Sequence, residues 1–308
     1  MNSPAQLPYK SGIIAILGHP NVGKSTLLNA LCGQKIAAVS PRPQTTRRRQ
    51  LGILTLEQAQ VIFVDTPGVH QPRHKLGEKM NQMALETLQD ADLIFFIVDA
   101  SHPPSSEDLI LSDGIKLAGR DEATFLLLNK IDLLSPAHWE QRKLEFSALL
   151  PKATALVLSA TRGEGKDELM QLMLDRLPEG PQYYPEDQIT DLFERDLAAD
   201  LIREAALLHL DDEVPHGIAV RIDEYIDREE AAAYIAATLI LERETHKPIV
   251  IGRGGSMLKR IGSSARNEIE TLTGRRIYLE LRVKVRKNWR DDDAALQAFG
   301  FGEPDGKP

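Results

Sequence analysis

The chain has 308 residues, of which 42% are hydrophobic and 27% charged, a composition ordinary for a globular protein of about two domains. It contains no run of about 18 or more apolar residues, so we expect no membrane-spanning helix, and Met1 to Lys10 lacks an apolar secretory core. The single cysteine, Cys32, excludes an internal disulfide framework and cysteine-cluster metal sites, and it predicts a reducing, cytoplasmic location.

Charge is unevenly distributed along the chain. The net charge of −8 by itself argues against a nucleic-acid partner, but residues 247–290 hold twelve Lys and Arg against three Glu. That span therefore carries about +9, which leaves about −17 for the remainder. The asymmetry indicates a basic functional face on an otherwise acidic protein.

The first half alternates apolar runs with helical patterns. Helices are indicated after Lys24 and around residues 79–89 and 140–149. Five buried strands are predicted between these patterns: Gly12 to Leu17, Val61 to Asp65, Leu93 to Asp99, Thr124 to Asn129 and Ala155 to Ser159. The alternation predicts an α/β domain over residues 10–177, with a mostly parallel sheet and helices on both faces.

A different pattern follows a proline-rich segment. Pro178, Pro181 and Pro185 indicate a linker over residues 178–190. A second, α+β domain is predicted over residues 191–290, and the polar tail, 291–308, is expected to fray. The predicted elements of this second domain are a helix at 190–210, strands at 217–226 and 232–242, a short helix, a longer helix ending near 272, and a strand at 276–285.

A glycine-rich turn follows the first strand and opens a helix. Residues 18–25 fit the phosphate-loop pattern G-x-x-x-x-G-K-[ST], whose backbone N–H groups face phosphate oxygens. Lys24 would reach the β- and γ-phosphates, and the Ser25 hydroxyl would bind Mg²⁺. The alternative is a turn that binds nothing, against which the strand–helix context argues. The predicted nucleotide contacts here are Gly18, His19, Pro20, Asn21, Val22, Gly23, Lys24, Ser25 and Thr26.

Three further motifs lie at the carboxyl ends of later strands. In Asp65-Thr66-Pro67-Gly68, followed by Val69, the carboxylate would hold Mg²⁺ and Gly68 would offer its N–H to the γ-phosphate. In Asn129-Lys130-Ile131-Asp132, the Asp132 carboxylate can accept from guanine N1–H and its 2-amino group, and adenine would leave it unpaired. Asn129 would tether loops, Lys130 would cover the base, and in Ser159-Ala160 the Ala160 N–H would reach guanine O6. Together these motifs fit the rule for ligand sites in open α/β sheets.

The array resembles the translation-factor-like GTPases, and the resemblance implies Mg²⁺ with GTP or GDP as cofactors. In Gln44-Thr45-Thr46-Arg47, where this class keeps its first switch, one threonine should bind Mg²⁺. We favour Thr46, although Thr45 stays open. The predicted metal set is Ser25, Thr46 and Asp65.

The catalytic arrangement is expected to be unusual. Val69 stands where many GTPases keep a water-orienting glutamine. Asn21 resembles the asparagine of potassium-activated GTPases, which implies K⁺ as the activating charge; the alternative is that Asn21 only shapes the loop. We therefore predict slow intrinsic turnover, with Lys24, Asn21, Thr46 and Gly68 as the catalytic set.

The second domain resembles a type II KH domain through its element order and the string from Val250 to Gly255, which contains a GxxG. The glycines would let a backbone turn clamp about four nucleotides of single-stranded RNA. Gly254 stands where the family often has Lys, so one phosphate contact is expected to weaken. A basic strand end around Lys284 and Arg286 fits either RNA contact or a solvated strand. The predicted RNA-binding set is Ile251, Gly252, Arg253, Gly254, Gly255, Lys259, Arg260, Arg266, Lys284 and Arg286.

The whole arrangement, ending in LELRVKVRKNW, resembles the Era-like bacterial GTPases. The resemblance implies a monomeric switch that binds the 3′ end of small-subunit ribosomal RNA, assists subunit assembly and rRNA maturation, and associates peripherally with the inner face of the cell membrane. Two alternatives stay open: a GTPase acting in RNA modification, and a membrane-docked regulatory switch whose KH-like domain binds protein. The absence of a second catalytic constellation in the sequence argues against the first.

Overall fold

The computed structural model describes residues 8–40, 42, 45–191, 194–211, 214–228 and 232–301, with the backbone alone at residue 137. The chain forms two compact units. The first comprises Met1–Ala37, Thr46–Gln71 and Met80–Asp191, and the second comprises Ala38–Thr45, Pro72–Lys79 and Leu192–Pro308.

A six-stranded sheet forms the centre of the first unit. Its strands are β1 (Lys10–Leu17), β2 (Gln50–Leu56), β3 (Ala59–Asp65), β4 (Leu93–Asp99), β5 (Thr124–Asn129) and β6 (Thr154–Val157). The strand order is β2-β3-β1-β4-β5-β6, in which β2 is antiparallel to β3 and the other pairs are parallel. The central strands are apolar along their length because helices cover both faces of the sheet.

In the described part of the chain, five helices flank this sheet: α1 (Lys24–Cys32), α2 (Lys75–Asp90), α3 (Ser106–Leu117), α4 (Pro136–Ser147) and α5 (Lys166–Arg176). Side chains alternate between the faces along a strand, so Phe95 and Phe96 of β4 enter different cores. Phe95 packs with Leu28 of α1 and Met173 of α5, whereas Phe96 lies in the core that contains Ile115 of α3. The predicted parallel α/β architecture is therefore present.

Strand β2 is an element that the sequence pattern did not indicate. It lies at the sheet edge, where the apolar signal is short and interrupted by Gly52. A Cβ at Gly52 would lie 2.6 Å from Leu28 Cδ1, so this glycine lets α1 pack closely on the strand.

The segment predicted as a linker is held against the first unit. The Gln60 amide oxygen accepts from the N–H groups of Tyr183 and Tyr184 at 2.8 and 2.9 Å. Farther along, the N–H of Ile53 donates to the Ile189 carbonyl at 2.8 Å. These hydrogen bonds extend the first unit through the segment predicted to separate the domains.

The second unit is built on a three-stranded sheet. Its elements are α6 (Glu194–His209), β7 (Ala219–Arg228), β8 (Ala232–Leu241), α7 (Lys247–Ile251), α8 (Ser256–Thr273), β9 (Arg276–Val285) and α9 (Asp293–Ala298). The strand order is β7-β8-β9, with β7 antiparallel and β9 parallel to β8. One sheet face packs on α6 and α8 through Ile235, Leu239, Ile202 and Ile261, which gives the predicted α+β architecture.

The prediction that the chain frays directly after Asp291 is wrong. The Asp292 carboxylate caps α9 by accepting from the N–H groups of Ala294 and Ala295. Phe299 and Phe301 flank the buried Trp289 ring at centroid distances of 5.5 and 6.1 Å. These aromatic contacts order a polar-looking segment as far as residue 301, and residues 302–308 lie outside the described residues. None of the helices in the described part combines the length and the apolar character that a membrane crossing needs.

Candidate functional site

The loop between β1 and α1 has a backbone that requires glycine. Gly18 and Gly23 have φ values of 157° and 105°, and a Cβ on either would collide with the Ile97 carbonyl or the Asn129 amide, respectively. Gly23 directly precedes α1, so N–H groups of the first helical turn open onto the loop. This geometry can bind an anion at a helix N-terminus.

Lys24 lies buried beneath the loop. Its Nζ donates to the carbonyls of Gly18 and His19, both at 3.0 Å. Burial lowers the pKa of Lys24 to about 8, although the negative charge of Asp65 acts in the opposite direction. A phosphate group beside this amine would favour its charged form, which makes the site suited to an anionic ligand.

Three oxygen-bearing side chains meet beside the loop. The Ser25 hydroxyl lies 2.9 Å from Thr46 Oγ1 and donates to Asp65 Oδ2 at 2.8 Å, and Thr46 Oγ1 lies 3.0 Å from the same carboxylate oxygen. The Thr45 hydroxyl instead donates to the Arg42 carbonyl at 2.9 Å. Hard oxygen donors with one carboxylate suit Mg²⁺ that is also held by phosphates. Gln44 of the same segment lies outside the described residues.

The chain after β3 lies against the phosphate loop. Thr66 Oγ1 donates to the Ile16 carbonyl at 2.7 Å, and a Cβ at Gly68 would lie 2.7 Å from the backbone nitrogen of Pro20. The Val69 N–H donates to the Gly18 carbonyl at 3.3 Å, while its side chain is buried in the core. Val69 therefore cannot orient a water molecule.

Other predicted loop residues have mixed environments. Val22 is buried in the core, Thr26 is half-buried on α1, and Asn21 is exposed with a left-handed φ of 64°. The His19 ring has one nitrogen 2.9 Å from the Pro20 carbonyl and the other 3.9 Å from the Asp108 carboxylate. The loop backbone thus presents Asn21 outward at its tip.

The motifs after β5 and β6 are joined by Asn129. Its Nδ2 donates to the Val22 carbonyl at 2.7 Å, and its Oδ1 accepts from the Ala160 N–H at 2.9 Å. The Ala160 N–H, which the sequence assigned to guanine O6, therefore already donates to Asn129. To contact a base, it must donate to both acceptors at once or break its hydrogen bond to Asn129. Ser159 Oγ lies 3.1 Å from Thr161 Oγ1 and accepts from the Arg162 N–H at 3.2 Å.

Sequence reasoning missed two charged partners in this region. The Lys130 ammonium lies 2.7 Å from Asp99, and Arg162 Nε lies 3.8 Å from Asp132. Burial acts to raise the pKa of Asp99, but hydrogen bonds from Lys130 and Ser101 outweigh it and lower the pKa. The position of Asp99, at the carboxyl end of an apolar strand, was an available signal.

The GxxG turn connects α7 to α8. Gly252, Gly254 and Gly255 have φ values of 73°, 56° and 81°, which L side chains rarely adopt. A Cβ at Gly252 would lie 2.7 Å from the Met257 nitrogen, whereas Cβ atoms at Gly254 and Gly255 would meet nothing within 4 Å. The turn therefore leaves open space on one side, where another backbone can approach.

A groove of about 450 Å³ runs between α8 and β9. Lys259 and Arg266 line it together with Tyr278, Leu281 and Gly255 of the GxxG turn. Arg253 and Arg260 are exposed on the turn and on α8, and Ile251 is half-buried. The groove combines an apolar lining with cations, as single-stranded nucleic acid requires.

The two predicted basic residues of β9 and its end differ in environment. Lys284 is exposed on the strand. Arg286 instead donates to Asp292 at 2.6 Å, and its guanidinium lies 5.6 Å from the Phe299 ring centre. Arg286 is thus engaged in holding α9.

Family comparisons match both units. Residues 13–130 match the family described as 50S ribosome-binding GTPase, and residues 213–290 match the KH domain family. GTPase Era of Ruminiclostridium cellulolyticum is 44% identical over 295 residues, covering 96% of this chain and 98% of its own. The chain belongs to the Era family of GTPases. GTPase Era of Caldicellulosiruptor saccharolyticus is 46% identical, with the same coverage of both chains.

Solved Era structures match the whole fold. Era in complex with MgGDPNP and nucleotides 1506–1542 of 16S ribosomal RNA is 40% identical with a TM-score of 0.91, covering 96% of this chain and all of that one. A variant of Aquifex aeolicus Era bound to GDP·AlF4⁻ is 39% identical with a TM-score of 0.90 and equal coverage. The predicted Era-like identity, P-loop GTPase fold and KH domain are confirmed, and this Era-family chain is a GTP-hydrolysing enzyme.

Proposed function

We propose that this Era-family GTPase binds the 3′ end of small-subunit ribosomal RNA with its KH unit and assists small-subunit assembly and rRNA maturation. The observation that carries the proposal is the likeness, at a TM-score of 0.91 over 96% of the chain, to an Era bound to nucleotides 1506–1542 of 16S ribosomal RNA. GTP state would set when the RNA is held and when it is released.

The GxxG turn and the adjoining groove support RNA binding physically. The open side of Gly254 and Gly255 lets a sugar-phosphate backbone approach, and Arg253, Lys259 and Arg266 supply positive charge. A groove of this kind holds about four nucleotides. The fragment bound by the relative is several times longer, so further RNA contacts are expected outside the groove.

The test is fluorescence anisotropy of a labelled RNA with the sequence of nucleotides 1506–1542, with a scrambled RNA of equal length as the control. We expect the first RNA to bind much more tightly than the scrambled one, with different affinities in GDP and in a non-hydrolysable GTP analogue. Lys259→Ala should weaken binding and reduce its salt dependence, whereas Lys152→Ala, an exposed lysine of the first unit, should not. Equal affinity for both RNAs would contradict the proposal.

For the nucleotide, the proposal is that loop amides and Lys24 hold the phosphates while Asp132 selects guanine. The positive φ values of the loop and the burial of Lys24 support the first part. The second part is supported by the position of Asp132 in the loop after β5, where its carboxylate lies 3.8 Å from Arg162 of the loop after β6. The wild-type chain should bind GTP far more tightly than ATP. Asp132→Ala should remove that preference, and unchanged GTP binding in this variant would contradict the assignment.

For Mg²⁺, the proposed ligands are Ser25 and Thr46, with Asp65 holding the ion through water. The mutual distances of 2.8–3.0 Å between their oxygens support a common site. The ion would neutralise phosphate charge that builds up during hydrolysis. Thr46→Ala should weaken Mg²⁺-dependent binding of a GTP analogue, and Thr45→Ala should not. The reverse result would move the assignment to Thr45.

K⁺ activation through Asn21 is the finer part of the proposal. Val69 is buried and cannot orient water, and the exposed Asn21 lies at the loop tip, where a cation could supply positive charge. Turnover should be faster in KCl than in NaCl at equal ionic strength, and Asn21→Asp should change that ratio. Equal rates in both salts, with no effect of the substitution, would remove Asn21 from the catalytic set.

Cytoplasmic location, peripheral contact with the inner face of the membrane, and a monomeric state complete the proposal. The single cysteine supports the cytoplasmic location, and the family resemblance supports the membrane contact and the monomeric state. Light scattering on a sizing column tests the monomer, and sedimentation with anionic vesicles tests the membrane contact. A mass of two chains, or no protein in the vesicle pellet, would remove the corresponding part.

A further inference from the structure

The outer face of the three-stranded sheet carries a row of three apolar and aromatic side chains, of which the central one, Tyr234, is half-buried and the other two are exposed. Strand register aligns Ile226, Tyr234 and Tyr278 across β7, β8 and β9. The two tyrosine rings stack with centroids 5.6 Å apart and 21° between their planes. Tyr278 is 65% exposed and Ile226 46% exposed. Adjoining exposed apolar side chains commonly mark a binding site, whereas single scattered ones do not.

This row points away from the helices that cover the other face. Side chains alternate along a strand, and the neighbours Ile235 and Leu279 belong to the core shared with α6 and α8. Tyr234 and Tyr278 therefore present their rings on the opposite side.

Arginines frame the aromatic row. The Arg228 guanidinium lies 5.0 Å from the Tyr234 ring centre, and the next row of the sheet places Arg228 and Arg276 on either side of Ala232. Both arginines are exposed. Cations beside aromatic rings are the combination that binds stacked bases together with their phosphates.

Carboxylates of the same face are largely matched by their own cations. Glu280 accepts from the Tyr234 hydroxyl at 2.7 Å and from Arg282 at 2.9 Å. Asp223 accepts from Arg221 at 2.8 Å. Among the described residues of this face, the exposed Glu224 is the remaining acid, and it is outnumbered by Arg228, Arg276 and Lys284. The described part of the face is therefore net positive and complements a polyanion.

The aromatic row is continuous with the groove described above. Tyr278 lines that groove beside Lys259 and Arg266, and it also stacks on Tyr234 on the outer face. Strand β9 is the edge of the sheet, so a chain that leaves the groove across β9 meets Tyr278 first.

We infer that Ile226, Tyr234, Tyr278, Arg228 and Arg276 form a second RNA subsite, here called the stacking platform, which takes unpaired bases of the single strand that leaves the groove. The inference rests on the proposed function for the RNA in the groove and extends it to the nucleotides that the groove cannot hold. Stacking on Tyr278 is tolerant of base identity because every base has a π-face.

The experiment measures affinity of the full chain for two labelled RNAs, the 1506–1542 sequence and the unstructured dodecauridylate. Tyr278→Ala should weaken both by about five- to hundredfold, the range typical of removing one aromatic stack. Tyr278→Phe keeps the ring and should bind like wild type. The matched control is Tyr183→Ala, a 60% exposed tyrosine of the first unit, which should have no effect. Photocrosslinking with 5-iodouridine should label Tyr278.

The outcomes separate the two claims. Wild type that binds neither RNA overturns both the proposed function and the platform. If the wild-type chain does not bind the 1506–1542 RNA but binds dodecauridylate through Tyr278, the platform is supported and the proposed function is overturned. Unchanged RNA affinity in a folded Tyr278→Ala chain overturns the platform. If that variant instead loses association with a ribosomal protein, the face is a protein-docking surface and the platform is also overturned.

Discussion

Asn129 and Val22 connect the base-binding loops to the phosphate loop. The Asn129 Nδ2 donates to the Val22 carbonyl at 2.7 Å, while its Oδ1 accepts from the Ala160 N–H at 2.9 Å. One buried side chain therefore holds three loops that come from distant parts of the sequence. A Cβ at Gly23 would collide with the same amide, so the glycine and the asparagine depend on each other.

The first prediction concerns this bridge. Asn129→Ala leaves the Val22 carbonyl and the Ala160 N–H without their partner, and an unsatisfied buried group costs about 1–3 kcal/mol. Part of that cost should appear in nucleotide binding, with GDP and GTP both weakened by about ten- to hundredfold. Titration with a fluorescent GDP measures the loss. Asn267→Ala, an exposed asparagine on α8, is the control, and equal GDP affinity in both variants would contradict the bridge.

The positions of the nucleotide motifs could be predicted because each ends a strand of a parallel sheet. The carboxyl ends of β1, β3 and β5 meet at one edge, so Lys24, Asp65 and Asp132 converge without any knowledge of side-chain contacts. The choice between Thr45 and Thr46 was beyond the sequence. It depends on which hydroxyl the loop turns toward Asp65, and adjacent identical residues carry no signal for that.

The C-terminal segment shows the opposite case. Its polar, Gly- and Pro-rich composition predicted fraying, whereas the structure forms α9 and buries Phe299 and Phe301 against Trp289. A few aromatic residues determine the packing there, and the average composition of the segment does not reveal them. Arg286 was assigned to RNA by its charge alone, because its partner Asp292 lay in the segment expected to fray.

The second prediction separates Arg286 from Lys284. The hydrogen bond from Arg286 lowers the pKa of Asp292, with burial acting in the opposite direction. Because the pKa of Asp292 is lower in the folded chain than in the unfolded chain, this stabilisation is present at pH values above the unfolded-chain pKa. It is lost as the pH falls through the folded-chain pKa. Arg286→Ala should therefore lower the urea midpoint at pH 7, by an amount that shrinks as the pH falls below the pKa of Asp292 in the unfolded chain, and should leave RNA affinity almost unchanged.

Lys284→Ala is the matched variant, and it should do the reverse. It removes an exposed cation, so the urea midpoint should stay constant while RNA binding loses about one unit of salt slope. Denaturation curves and RNA titrations at several salt concentrations measure both effects. If Arg286→Ala reduced the salt slope and left the midpoint unchanged, Arg286 would act in RNA binding as the sequence predicted.

The third prediction concerns Cys32, the single thiol. Burial raises its pKa to about 12, and the thiolate is the reactive form. At pH 8 the folded thiol is then ionised in about one molecule in ten thousand, so a disulfide reagent should react about a thousandfold more slowly than with urea-unfolded chain. The native rate should rise about tenfold per pH unit between pH 8 and 10. A plateau near pH 9 would show an ordinary pKa.

The fourth prediction concerns Trp289, which is fully buried and whose Nε1 donates to the Gly217 carbonyl at 3.0 Å. Trp289→Ala should destabilise the second unit by about 3–5 kcal/mol because it opens a large cavity. Trp289→Phe should cost less, about 1–3 kcal/mol, because it mainly leaves the carbonyl unpaired. Both variants retain Trp139 in α4 as the remaining tryptophan of the chain.

Trp139 makes the test specific to one unit, because its fluorescence reports unfolding of the first unit while circular dichroism reports both. The dichroism transition should gain an early phase at lower urea, and the Trp139 fluorescence transition should keep its midpoint. If both signals moved together by the same amount, Trp289 would be stabilising the chain as one cooperative block, and its effect could not be assigned to the packing of Phe299 and Phe301 around its ring.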